Sequence, residues 1–322
     1  MGIKAEKAVI FSIIDETLKE LAKSGDQQGS VTLLCRLVGA SRGGYYWWKR
    51  TELDREQREA KDQADYQLIL QAYQHRGYAK GARSIHMRLL HLPQAVRMNI
   101  KKIRRLMKKY GLVCPIRCLN PYRRMAKAIR TSYVADNIVH REFKQGVRKV
   151  LLTDITYLFF PGGVCYLSTI LDAFTHEILA YQLSSTLKVE FVLSTIGQLV
   201  AAHGSELDDE TIIHSDQGCH YTSKSFVEKL KDENFVQSMS RKGNCWDNAP
   251  QESLFGHMKD EIGPKIDACK TFQEMQELID DWVDYYNNER YQWGLRKLSP
   301  AEYYKYITTG QYPLEQYPQC TA

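Results

Sequence analysis

The spacing of apolar residues changes near Arg148, and this change constrains the fold more than any other feature of the sequence. Three segments after it, KVLLTDITYLFF, VCYLSTILDAF and EILAYQLS, are rich in β-branched and aromatic residues and predict an antiparallel meander. Helical and strand patterns then alternate, with short strands at 211–216 and 236–240 between helices. This order predicts an α/β fold with a mixed sheet covered by helices, preceded by an all-α region.

The amino-terminal part has helical spacing throughout. Residues 7–23 predict one amphipathic helix, and two short helical patterns at 31–38 and 41–50 flank the turn Gly39-Ala40. Two short helices joined by a tight turn are typical of a helix-turn-helix. The aromatic residues at 45–48 suit helix packing and DNA contact equally well, so the motif alone does not decide between them.

The positive charge of the chain is concentrated in one block. Residues 76–130 contain sixteen Lys or Arg and no Asp or Glu, although the formal net charge of the whole chain is only +6. The other 267 residues therefore carry a net charge of −10. A block of this kind indicates binding to a polyanion, and DNA or RNA is the obvious candidate.

Within this block, residues 99–109 predict a helix with an apolar face and a basic face. A basic linker with weak periodicity follows, at 115–140, and contains Arg123 and Arg124. We expect the basic face to meet phosphate groups. Its members are Lys101, Lys102, Arg104, Arg105, Lys108 and Lys109.

The eight cysteines are scattered and lack the regular spacing of a secreted disulfide framework, which favours reduced thiols. The amino end carries acids within its apolar stretch, unlike a signal peptide, and no apolar run is long enough to span a membrane. We therefore expect a cytoplasmic protein without a membrane partner.

Three acids occupy unusual positions. Asp154 interrupts an apolar strand, Asp216 closes the strand TIIHSD, and Glu252 lies one turn into a helix. If these elements are neighbours, the carboxylates converge and require hard divalent cations. Two Mg²⁺ ions held in this way catalyse displacement at a phosphodiester. Lys259 lies two turns after Glu252 and Asn248 one turn before it, so both share its face and could contact DNA.

Longer sequence words around these acids resemble a known family. TDITYL, HSDQGCHYTS, SMSRKGNCWDNAPQESLFGHMKDE and YNNERYQWGL, with 35 residues between Asp216 and Glu252, resemble the second-frame (OrfB) transposase of the bacterial insertion-sequence family numbered three. That family is part of the DDE transposase and retroviral integrase superfamily. The segments LCRLVGASRGGYYWWKR and 66–116 are similar to its helix-turn-helix region.

The resemblance implies a ribonuclease H-like core in which Asp154, Asp216 and Glu252 are catalytic and bind two Mg²⁺ or Mn²⁺ ions. Lys259 matches the basic residue that this family carries seven positions after the glutamate. The implied reaction is metal-dependent cleavage of one strand at a transposon end, followed by transfer of the freed 3′ hydroxyl to a second phosphodiester. The implied partners are the terminal inverted repeats, target DNA, a second copy of the chain or a higher oligomer, and a first-frame (OrfA) partner or fusion.

Five domains are expected. They are an amino-terminal helical region at 1–60, a basic helix-turn-helix or winged-helix-like domain at 61–114, the linker at 115–140, the catalytic core at 141–265 and a helical extension at 266–322.

Three alternatives stay open: a catalytically inactive DNA-binding regulator, a ribonuclease H-type nuclease, and a zinc site. The zinc site would use His86, His91, Cys114 and Cys118, although each pair is spaced one residue wider than in retroviral integrases.

Overall fold

The structure is a computed structural model that describes residues 7–23, 31–78, 80–114, 134–241 and 245–314. It divides into two compact units, Met1–Leu68 and Ile69–Ala322. Among the described residues, no helix is long and apolar enough to cross a membrane. The helices before the sheet are α1 (Lys7–Lys23), α2 (Val31–Leu37), α3 (Arg42–Arg50), α4 (Glu52–Gln74), α5 (Ala82–Leu90) and α6 (Ile100–Lys109).

The first unit is a small helical bundle. Its core consists of Phe11, Ile14, Cys35 and Tyr45, contributed by α1, α2 and α3. The turn between α2 and α3 contains Gly39 at a φ of 67°, and the Ser41 hydroxyl then accepts a hydrogen bond from the Gly44 amide to begin α3. Two short helices around a tight turn were predicted here, and the structure confirms them.

The basic helix α6 has the amphipathic form that its sequence predicts. The Asn99 side chain accepts the Lys101 amide and caps the helix. Ile103, Leu106 and Met107 are buried on one side. The opposite face carries the basic residues.

The second unit contains a five-stranded sheet, whose strands are β1 (Val150–Phe160), β2 (Gly163–Asp172), β3 (Ile178–Ser184), β4 (Ile212–Ser215) and β5 (Val236–Met239). Their order in the sheet is β3-β2-β1-β4-β5. The pairs β1–β2 and β2–β3 are antiparallel, as the meander predicts, whereas β1–β4 and β4–β5 are parallel. The first strand is therefore central, because the later strands add to its free edge.

Helices cover both faces of this sheet. Alternate residues of β1 enter different cores: Leu152 packs with Leu254 and Met258 of one helix layer, whereas Leu151 packs with Ile196 of the other. The mixed sheet covered by helices is therefore confirmed. The helices are α7 (Val189–His203), α8 (Lys224–Asp232), α9 (Ala249–Ile266), α10 (Phe272–Asn288) and α11 (Pro300–Thr309).

Arg148 fixes the start of β1. Its buried guanidinium donates to Asp172, Glu177 and Glu206 at 2.8–3.1 Å, and lies over the ring of Tyr304. These partners lie at the end of β2, just before β3, after α7 and on α11. One side chain thus connects the start of β1 to the turn between β2 and β3, to the segment after α7 and to α11.

Candidate active site

The parallel pairing of β1 and β4 sets the relative positions of two of the predicted acids. Leu152 and His214 are register partners; Asp154 lies two residues further along β1, and Asp216 lies immediately after the end of β4. Because side chains alternate along a strand, Asp154 projects to the same face as Leu152, and Asp216 follows the neighbouring parallel strand. The condition on which the sequence prediction depended, that these strands are neighbours, is met.

Backbone amides hold both carboxylates. Asp154 Oδ1 accepts the Ile155 amide at 2.8 Å, and Asp216 Oδ1 accepts the Gly218 amide at 2.9 Å. A Cβ atom on Gly218 would lie 2.8 Å from Asp216 Oδ1, closer than real Cβ contacts. The turn after β4 therefore needs glycine at position 218 to approach the carboxylate this closely.

Helix α9 brings the third acid and a lysine to the same neighbourhood. Pro250 lies in the first turn of α9, where a proline is well tolerated, and Glu252 follows it. Glu252 is partly buried, whereas Lys259 is exposed two turns later. Both act electrostatically on Asp154, as does Asp216.

The pKa of Asp154 records this crowding. Burial raises it most and the negative charge of Asp216 raises it further, while the Ile155 amide lowers it. Glu252 adds a smaller increase and Lys259 a smaller decrease, so the pKa stands well above its usual range. Burial and the neighbouring acids therefore disfavour the charged form of Asp154, and a divalent cation would stabilise that form.

The donor chemistry of these acids fits a hard cation. Three carboxylates supply the oxygen ligands that Mg²⁺ and Mn²⁺ prefer. Among the described residues, however, no group of three or more His, Cys, Asp or Glu side chains is gathered so that it could hold an ion. Asp154 and Asp216 follow neighbouring strands and Glu252 acts electrostatically on Asp154, so the meeting of the three acids at one metal site stays a prediction.

Asp247 organises the loop that leads into α9. Its fully buried carboxylate accepts hydrogen bonds from Arg141 Nε at 2.7 Å, Arg241 Nε at 2.9 Å and Asn137 Nδ2 at 3.0 Å. Hydrogen bonds from Arg241, which outweigh the effect of burial, and from Arg141 hold its pKa well below the usual range. The sequence did not predict a role for this residue, since its partners lie up to 110 positions away and leave no local pattern.

The predicted DNA-contacting residues differ in their placement. Lys101, Arg104, Arg105, Lys108 and Lys109 are exposed on α6, and Lys102 is partly buried. Asn248 is only 5% exposed, so its side chain does not reach a surface where DNA could lie. Arg123 and Arg124 lie outside the described residues.

Part of the basic block faces protein rather than solvent. Arg76 forms ion pairs with Asp281 at 2.9 Å, Asp284 at 2.8 Å and Glu289, and Arg88 also contacts Glu289. These acids belong to α10 and the residue after it. The sequence prediction that the whole block serves a polyanion is therefore too broad, because composition does not show which cations have acidic partners within the chain.

The zinc alternative has no support in the part of the chain that the structure describes. His86 Nδ1 is bonded to the Met98 carbonyl, and His91 uses Nδ1 for the Met87 carbonyl and Nε2 for Glu302. The described members of the set form no metal group, and Cys118 lies outside the described residues.

Comparison with protein families places these features in context. A model described as an integrase core domain matches residues 145–245, a second integrase core domain model matches 252–306, and an HTH-like domain model matches 60–118. These matches confirm the fold class, which is a ribonuclease H-like integrase core that follows a helix-turn-helix-like region in the sequence.

Individual relatives agree with the family models. An "Uncharacterized transposase-like protein" of Haemophilus influenzae is 34% identical over 66% of this chain and 95% of its own length. The "Putative transposase InsK for insertion sequence element IS150" of Escherichia coli is 31% identical over 70% of this chain and 76% of its own length. The "Transposase for insertion sequence element IS629" of Shigella sonnei is 27% identical over 86% and 92%.

Among solved structures, the catalytic core domain of BIV integrase is similar over 51% of this chain and 98% of that chain, with 16% identity and a TM-score of 0.40.

The curated relatives are matched over most of their length, and the family models cover both the basic helices and the sheet. The chain belongs to the transposases of bacterial insertion sequences, and the family numbered three fits its sequence.

Proposed function

We propose that this transposase cleaves one strand at each end of its insertion sequence and transfers the freed 3′ hydroxyl to a new phosphodiester. The observation that carries the proposal is the placement of Asp154 on β1 and of Asp216 directly after the neighbouring β4, with Glu252 and Lys259 of α9 close enough to act electrostatically on Asp154, in a chain that matches integrase core domain models. Carboxylates supply the oxygen ligands for the divalent cations on which a metal-dependent displacement at phosphorus relies.

Each of the four residues has a role in this proposal. Asp154, Asp216 and Glu252 would hold two divalent cations, and Lys259 would bind a DNA phosphate beside them. The bound cations would supply activation of the attacking oxygen and stabilisation of the leaving oxygen. The backbone amides of Ile155 and Gly218 orient two of the carboxylates before any cation binds.

DNA binding is assigned to α6 in this proposal. Its exposed cations would contact the phosphates of the terminal repeats, and the bases would be read by elements that the charge pattern does not identify. Joining two DNA ends requires two DNA-binding surfaces, so we propose that a homodimer or a higher oligomer acts on DNA. The mass of the end-bound complex tests this, since a monomer there would contradict it.

The catalytic proposal is tested by strand joining on labelled duplexes that carry the sequences flanking the reading frame. Wild-type protein is expected to join them with Mg²⁺ or Mn²⁺, whereas Asp154→Asn and Glu252→Gln should lose joining while retaining DNA binding. Asp209→Asn, an identical change at an exposed acid, is the matched control and should join normally. Normal joining by the Asp154 and Glu252 variants would refute the assignment, and preferential cleavage of RNA–DNA hybrids would favour a ribonuclease instead.

A further inference from the structure

Gln251, the residue immediately before Glu252, is completely buried. Its amide nitrogen donates a hydrogen bond to the Thr169 hydroxyl, and Thr169 is itself only 1% exposed. Thr169 lies on β2 as the register partner of Asp154 on β1. A single hydrogen bond therefore connects the neighbour of the helical acid to the residue opposite the strand acid.

The sheet places Thr169 and Asp154 side by side on the face that α9 covers. Register partners on antiparallel strands project to the same face, with Cβ atoms about 4.5–5.5 Å apart. Leu152 and Leu167, on the same alternation as Asp154 and Thr169, pack with Leu254 of α9, so this is the face that α9 covers. Successive helical residues point about 100° apart, so anchoring Gln251 to the sheet fixes the direction of Glu252.

This polar contact is a costly way to hold a helix in place. Among the described residues, Gln251 Oε1 is buried without a hydrogen-bond partner. An apolar pair of the same shape would pack here without leaving a polar atom unsatisfied. A hydrogen bond differs from an apolar contact in being directional, which matters where a carboxylate must stand at a defined position.

We propose that Gln251 and Thr169 are positioning residues that set Glu252 relative to Asp154, and thereby set the affinity of the acidic site for divalent cations. This inference rests on the proposed function, because it assumes that these acids bind the cations. It extends that function to two buried residues that do not touch the ion or the DNA.

Three variants of the full chain test the inference. Thr169→Val removes the hydroxyl at nearly constant volume, and Thr169→Ser retains it. The double variant Thr169→Val/Gln251→Leu makes both partners apolar, so no polar group is stranded. Thr195→Val is the matched control: Thr195 is equally buried, but its hydroxyl bonds to the Phe191 carbonyl within α7.

Binding of Mn²⁺ without DNA, measured by the electron paramagnetic resonance signal of the free ion, gives a readout independent of catalysis. Thr169→Val is expected to weaken Mn²⁺ binding about tenfold, as removal of a group that orients a metal ligand does at other sites. Thr169→Ser and Thr195→Val should bind as wild type does. The double variant should regain the metal-free melting temperature but keep the weakened binding, which a purely structural role would not produce.

Wild-type Mn²⁺ affinity in folded Thr169→Val, or in the double variant, would overturn the inference. If Thr169→Val alone does not fold, Mn²⁺ binding by the double variant tests the inference in its place. Asp154→Asn and Glu252→Gln separate this result from failure of the proposed function. If those two variants bind Mn²⁺ normally, the acidic metal site itself is refuted; if they lose Mn²⁺ while the Thr169 variants keep it, only the positioning role is refuted.

Discussion

Gly218 shows how a single missing side chain shapes the acidic site. The amide of this residue donates to Asp216 Oδ1, and its Cα approaches that oxygen so closely that a methyl group would displace the carboxylate. Gly218→Ala is therefore expected to reduce metal-dependent joining roughly tenfold, the size of effect seen when a group that orients a metal ligand is removed. Strand joining across a Mn²⁺ titration measures it.

Gly197→Ala is the control for this substitution, because nothing lies within 4 Å of a Cβ atom at that position of α7. Its joining should equal that of the wild type, and its stability should rise by up to about 1 kcal/mol from helix propensity. Equal joining by the two alanine variants would show that the close approach at Gly218 has no part in the reaction.

Asp15 gives the first unit a dependence on acid. Burial alone would raise its pKa, but hydrogen bonds from Lys19, Lys49 and Tyr45 outweigh burial and lower the pKa to about 2. A carboxyl whose folded pKa lies below its unfolded pKa of about 3.9 stabilises the fold fully above that value. The contribution is lost as the pH falls from about 4 to about 2.

We expect Asp15→Asn to destabilise α1 at neutral pH. In the wild type, the amides of α1 should lose protection against hydrogen exchange as the pH falls from 4 to 2, and Asp15→Asn should remove most of this acid dependence. Amide hydrogen exchange of the α1 segment in the full chain measures both effects. Glu16→Gln, at the exposed neighbouring position, should retain the wild-type acid dependence. An acid response in Asp15→Asn as steep as in the wild type would assign that response to another group.

At the scale of elements, α6 carries its basic residues and its buried packing residues on opposite faces. Its buried residues hold the helix in the fold, so cations on the other face can be removed without disturbing the packing. The variant with Lys101, Arg104 and Lys108 changed to alanine is expected to bind duplex DNA more weakly. The slope of log K against log salt should become shallower by about 0.9 for each phosphate group that the variant no longer neutralises.

The control for α6 removes the same charge elsewhere. Alanine at Lys224, Lys231 and Lys305, which are exposed on α8 and α11, should leave both the affinity and the salt slope close to wild type. Equal weakening in the two triple variants would mean that net charge matters and that α6 has no special role in contacting phosphate.

Sequence patterns predicted the elements well and their long-range contacts poorly. The strands around Asp154 and Asp216 and the helix of Glu252 follow from local periodicity, and each is present. Gln251 bonds to Thr169, Asp247 to Asn137 and Arg76 to Glu289. These partners lie between 82 and 213 positions away in the sequence, where neither spacing nor composition gives a signal. Register and burial, which place such residues, arise only when the sheet and its helices assemble.

At the scale of the whole molecule, Arg148 connects the start of β1 to other segments of the second unit. Arg148→Met would leave Asp172 as a fully buried carboxylate, bonded only to Thr175 and backbone amides. Removing one partner of a buried pair typically costs about 3–5 kcal/mol, so urea unfolding should show a decrease in stability of this size. Lys149→Met, which breaks only exposed pairs with Asp208 and Glu210, should unfold close to wild type.

The order of strands in the sheet also governs when this enzyme is completed during synthesis. β1 and β2 can pair soon after they leave the ribosome, whereas β4, β5 and α9 are added only later to the other edge and face. Asp154 precedes Glu252 by 98 residues, which corresponds to roughly 5–20 s of translation at 5–20 residues per second. During that interval the nascent chain already has its basic helices but lacks Glu252, so under the proposed function it would hold DNA before it could cut it.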